Sequence, residues 1–100
     1  MISRNEMTRD LTLNEEAWHL YIIECRAGEL YVGICKDVVQ RVRLHNAGRA
    51  TRYTKYRIPV KLICSEFCGD YANARKRERT VKKFSREKKI ALAEKIETSR

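Results

Sequence analysis

No stretch of this chain approaches the ~20 consecutive apolar residues of a membrane-spanning helix. Nor does Met1 to Ala17, with Glu6, Asp10, Glu15 and Glu16, carry the basic start and apolar middle of a signal peptide. A membrane partner is therefore not expected, and the cytoplasm is the expected compartment, or the nucleus for a eukaryotic or viral source. Internal repeats and low-complexity segments are missing as well. The four cysteines, Cys25, Cys35, Cys64 and Cys68, lack the paired Cys-x-x-Cys spacing of a zinc site. They are expected to be buried reduced thiols, the first three within strands. Acidic side chains are scarce: 13 Asp and Glu face 22 Lys and Arg, for a net charge of +9 and a pI near 9.7.

One hundred residues allow one core, and a 43% hydrophobic content suffices for it. The expected organisation is a partly ordered N-terminal extension, residues 1–17, followed by one domain over residues 18–100. That domain carries twenty basic and nine acidic residues, and they are clustered. Lys36 to Lys61 holds eight cations against Asp37, and Arg75 to Lys89 holds nine against Glu78 and Glu87. Two such clusters in one small domain point to nucleic acid, although either alone could be a solvated surface.

Two strand-like runs, His19 to Cys25 and Leu30 to Cys35, are separated by Arg26-Ala-Gly-Glu29, which is short enough for a hairpin with Gly28 at positive φ. A three-residue loop, Arg26 to Gly28, sets Tyr21 opposite Gly33 and Ile23 opposite Tyr31. Both phenols then share a face, while Leu20, Ile22, Leu30, Val32 and Ile34 fill the other with only Glu24 interrupting. Asp37 can cap a helix over Val38 to Ala47 that Gly48 stops. Val38, Val39 and Val42 form its expected apolar stripe, bordered by Arg41 and His45 one turn apart.

The next segment, Arg49-Ala-Thr-Arg-Tyr-Thr-Lys-Tyr-Arg57, interleaves cations with Tyr53 and Tyr56 and has no apolar period. It reads as a basic loop in which Arg49, Arg52, Lys55 and Arg57 neutralise phosphates and the tyrosines stack on bases. After Pro59 an extended run, Val60 to Phe67, makes a third strand. Asp70 can cap a helix from Tyr71 to Phe84 with a seam of Tyr71, Ala74, Glu78 and Val81. Glu78 thus occupies a core position, where a carboxylate must be paired or bind a cation. Arg75 and Lys82 stand at the spacing of internal salt bridges, and both also belong to the second basic cluster. Ser85 caps a last helix, Arg86 to Glu97, whose Ile90, Ala93 and Ile96 pack on the sheet, and Trp18 and Phe84 are expected in or beside the core.

These residues resemble the GIY-YIG nuclease domain, in particular small stand-alone bacterial members of the UvrC N-terminal type. Tyr21 matches the first half-motif, Tyr31-Val-Gly33 the second, Arg41 the arginine that follows, and Glu78 the glutamate of the later helix. His45-Asn46 is similar to the His-Asn pair of many members. The similarity covers about Trp18 to Ala93. Two positions depart from the pattern: His19-Leu20 replace the Gly-Ile before the first tyrosine, and Ile34 stands where UvrC-like members have lysine.

The resemblance implies an α+β fold, a small mainly antiparallel three-stranded sheet with three or more helices. It also implies a structure-selective endonuclease in which Glu78 holds one Mg²⁺ or Mn²⁺ and Arg41 offsets charge on the phosphate. Tyr21, Tyr31 and His45 share the handling of a water nucleophile in an unresolved division. DNA is expected before RNA, with a protein partner supplying specificity and a role in DNA repair or recombination. The alternative is a non-catalytic DNA- or RNA-binding module on the same fold.

Overall fold

The computed structural model describes residues 17–98, so the expected N-terminal extension lies, but for Ala17, outside the described residues. The element order is β1 (Trp18–Glu24), β2 (Leu30–Cys35), α1 (Val38–Asn46), α2 (Arg52–Lys55), β3 (Lys61–Gly69), α3 (Tyr71–Lys82) and α4 (Arg86–Thr98). The strands form one antiparallel sheet in the order β2-β1-β3. This is the α+β architecture that the strand and helix periods require.

The β1–β2 hairpin has the three-residue loop. Cys25 N–H donates to the Glu29 carbonyl at 2.7 Å, Gly28 N–H donates to the Cys25 carbonyl at 2.9 Å, and Gly28 takes φ 100°. Tyr21 therefore pairs with Gly33 and Ile23 with Tyr31. Alternation then divides the chain into two cores. Leu20, Ile22, Val32 and Cys64 face Val81 of α3 and Ala93 of α4. On the opposite face Tyr21, Ile23, Cys25, Cys35 and Val60 meet Val38 and Val42 of α1. Fully burying each aliphatic side chain contributes about 1.5 to 3 kcal/mol, so both faces of the central strand are stabilising.

Each longer helix starts where a side chain satisfies a free N–H. Asp37 accepts from Gln40 N–H at 3.0 Å, Asp70 from Asn73 N–H at 2.8 Å and Ser85 from Lys88 N–H at 3.1 Å. Three expectations are corrected. Val39 is 63% exposed, and the buried position on α1 belongs to His45. Tyr71 is also exposed, packing edge-on against Trp18 rather than under the sheet. Cys25 follows β1 rather than lying in it, whereas Cys68 lies within β3; among the described residues no disulfide joins the cysteines. The third strand begins one residue late and extends to Gly69, and α3 ends at Lys82. No described helix is long and apolar enough to cross a membrane.

Candidate active site

Tyr21 projects from the central strand with a ring that lies across Gly33 of β2. A Cβ at Gly33 would sit 2.5 Å from the phenol oxygen and 2.6 Å from Cζ, so only glycine leaves room for the ring. The phenol oxygen is 2.8 Å from Nε2 of His45. Both residues are buried, at 1% and 0% exposure.

Burial, reinforced by Tyr31, pushes the Tyr21 phenol well above its usual value near 10, although Arg41 draws it down. The charge of Glu78 also reaches this phenol. His45 is pushed the other way, down to about 4, first by burial and then by Arg41. The imidazole is therefore neutral at physiological pH. Cys35, close by, is raised to about 11 by burial, so it remains a thiol.

Tyr31 completes an aromatic cluster. Its ring centroid is 5.5 Å from that of His45, 6.4 Å from Tyr21 and 5.8 Å from Tyr53, the last pair nearly parallel at 24°. Arg57 holds its guanidinium carbon 3.9 Å above the Tyr53 ring, donates to the Tyr53 carbonyl at 2.6 Å and pairs with Glu29 at 3.5 Å. The faces of Tyr53 are thus engaged within the protein, and Arg57 is a tie between α2 and the hairpin.

The segment expected as a basic loop is instead built around α2, a four-residue helix capped by Thr51, whose Oγ1 accepts from Thr54 N–H at 3.2 Å. The helix aims Thr54 inward, where it is fully buried with Oγ1 2.7 Å from Nδ1 of His45. Arg52, Lys55 and Tyr56 are left outside, lining an open cleft with Arg49. Asn46 pins the chain beyond, accepting from Val60 N–H at 2.7 Å and donating to the Val60 carbonyl at 3.1 Å. Sequence reasoning placed Asn46 only by resemblance and missed Thr51 and Thr54; the Thr-x-x-Thr spacing ahead of a helical turn was the available signal.

Glu78 is 7% exposed on α3, with Arg75 at 3.1 Å from one carboxylate oxygen and Lys82 at 3.2 Å from the other. Both cations are about half exposed. No cluster of three or more His, Cys, Asp or Glu exists among the described residues. Glu78 thus offers a single carboxylate, a hard oxygen donor of the kind Mg²⁺ takes together with water and phosphate, and both of its oxygens are engaged by cations of α3.

Residues 17–91 match the family model described as the GIY-YIG catalytic domain. A UPF0213 protein of Staphylococcus saprophyticus is 43% identical over 74 residues, covering 74% of this chain and 90% of the relative. A UPF0213 protein of Staphylococcus aureus is 44% identical over 73 residues, 73% of this chain and 89% of its own length. Among solved structures, the solution NMR structure of a UPF0213 protein from Bacillus halodurans is similar with a TM-score of 0.50 and 34% identity, covering 77% of this chain and 82% of that one.

Proposed function

The chain belongs to the GIY-YIG catalytic-domain family, and from that premise we propose that it is a metal-dependent, structure-selective endonuclease. It hydrolyses phosphodiester bonds of nucleic acid in the cytoplasm, DNA before RNA. The observation that carries this reading is the buried hydrogen bond, 2.8 Å long, between Tyr21 and His45. Any buried phenol needs a hydrogen-bond partner; what suits proton transfer is that this partner is an imidazole, a group able to take the proton.

Glu78 would hold the Mg²⁺ or Mn²⁺ ion, which when bound supplies positive charge to the scissile phosphate and the leaving oxygen. Arg75 and Lys82 pair with the carboxylate beforehand and, being half exposed, can swing to substrate phosphates. Burial raises the Tyr21 phenol, so this chain's own residues favour its protonated form. It works as a relay. The water gives one proton to the Tyr21 oxygen while the phenol passes its own proton to Nε2 of His45, and the hydroxide formed attacks phosphorus. Arg41 pairs with the phosphate as negative charge grows there. That pairing also relieves the repulsion Arg41 exerts on an imidazolium, the smaller of the two effects that lower His45, burial being the larger. Tyr31, held between His45 and Tyr53, fixes the imidazole ring and walls the pocket. Arg49, Arg52, Lys55 and Tyr56 grip the backbone of the nucleic acid along the open cleft beside the site.

A second reading, a binding module without turnover, is favoured by one observation: both oxygens of Glu78 are already paired within α3. The discriminating experiment is a cleavage panel of duplex, branched, nicked and single-stranded DNA and RNA, with Mg²⁺ or Mn²⁺ against chelator. The nuclease reading expects metal-dependent products from at least one structure. Salt-sensitive binding with no product on any of them selects the module.

A further inference from the structure

Thr54 is the least explained group near the site, a fully buried hydroxyl on a helix otherwise turned to solvent. Its Oγ1 lies 2.7 Å from Nδ1 of His45, 2.9 Å from Oγ1 of Thr51 and 3.4 Å from the Thr51 carbonyl. Across the ring, Nε2 is 2.8 Å from the Tyr21 oxygen. Two arrangements of hydrogens fit these distances. In one, Thr54 donates to Nδ1 and Nε2–H donates to Tyr21, which leaves the phenol's own hydrogen to find another acceptor. His45 is the hydrogen-bond partner of Tyr21 among the described residues, and Tyr21 is 1% exposed, so that hydrogen has no other protein acceptor there. In the other, Tyr21 donates to Nε2, Nδ1–H donates to Thr54, and Thr54 donates on to Thr51. Every buried hydrogen then has an acceptor.

We propose that Thr54 is a positioning residue that accepts the Nδ1 hydrogen of His45 and so keeps the Nε2 lone pair turned to Tyr21 as the acceptor of its proton. The tautomer stands on the geometry alone; its use in turnover rests on the nuclease reading. A hydroxyl suits the task for a physical reason. A neutral oxygen fixes the ring and its tautomer without adding a charge that would stabilise the imidazolium, as a carboxylate does. Thr51 supports the arrangement twice, by capping α2 and by taking the hydrogen of Thr54.

His19 and His45 are the two histidines of the chain, so a His19→Gln background leaves one imidazole to read. Long-range proton–nitrogen NMR spectra of ¹⁵N-labelled protein near neutral pH distinguish a hydrogen-bearing ring nitrogen from a bare one. The expected spectrum has hydrogen on Nδ1 and a bare Nε2, retained in Thr54→Ser and lost in Thr54→Val, where hydrogen moves to Nε2. Hydrogen on Nε2 in the parent overturns the proposal, as does an unchanged tautomer in Thr54→Val. Thr54→Ala serves in its place if the valine variant does not fold. In Mn²⁺-supported cleavage of branched DNA, Thr54→Val is expected to lower kcat roughly 10- to 100-fold with KM little changed, as for other groups that orient a reacting histidine, and Thr54→Ser to restore it. An equal fall in both Ser and Val variants would overturn the hydroxyl's role. The spectra are taken without nucleic acid, so a protein that cuts nothing would defeat the nuclease reading while leaving the tautomer result to stand on its own.

Discussion

Gly33 is the residue on which the site's geometry turns, because the Tyr21 ring occupies the space a side chain there would fill. Gly33→Ala should therefore behave as core overpacking. The expected loss is about 1 to 3 kcal/mol in urea unfolding, with cleavage falling further as the phenol leaves Nε2 of His45. A variant as stable and active as the parent would mean that the ring does not lie there. His45 carries a second residue-scale consequence. Its imidazole, enclosed by Tyr21, Tyr31 and Thr54 with Arg41 nearby, is pushed down to about 4, against about 6.5 in an unfolded chain. The unfolded state thus takes up a proton first as pH falls. Stability is undiminished by this group above about pH 6.5 and declines through the window from there down to about pH 4. Urea midpoints from pH 7 to 4.5 should drop more steeply for the parent than for His45→Gln. Parallel curves would contradict the buried neutral imidazole.

Among the elements, the hairpin and its register are legible in the sequence because alternation on both faces and a three-residue loop leave one pairing that buries the aliphatic set. The starts of α1, α3 and α4 are legible because Asp37, Asp70 and Ser85 are local signals. What was not legible is tertiary. A three-valine stripe looks more apolar than one containing histidine, yet Val39 faces solvent, because the Tyr21 and Thr54 hydroxyls meet both ring nitrogens of His45 and so permit its burial. The four-residue α2 offers no period to detect, and its packing against His45 spans the Gly48 turn. That packing also sorts the cations of the segment. Arg57 is committed to Glu29 and Tyr53, whereas Arg49, Arg52 and Lys55 are exposed on the cleft. Replacing those three with Ser should flatten the slope of log affinity against log salt by up to ~0.9 for each duplex-DNA phosphate that is no longer neutralised. The unfolding midpoint should stay near that of the parent, since exposed charges contribute little. An unchanged salt slope would move the grip to α3 and α4.

At the scale of the whole molecule, one three-stranded sheet separates two layers. Helices α1 and α2 support the Tyr21–His45 face, while α3 packs against all three strands and carries Glu78. Arg86 ties α4 to the hairpin by donating to the Gly28 carbonyl at 2.6 Å, and Arg77 ties α3 to β3 through Glu66 at 2.9 Å. A net charge of +9 on so small a body gives a long-range attraction to nucleic acid. Charge alone explains binding and not cutting. Comparing the parent with Glu78→Gln for cleavage and binding of branched DNA in Mg²⁺ or Mn²⁺ separates the two most directly. Metal-dependent cleavage that disappears in Glu78→Gln, with the fold intact and affinity retained, is the predicted result; equal cleavage by both proteins, or none by the parent in any metal, would contradict it.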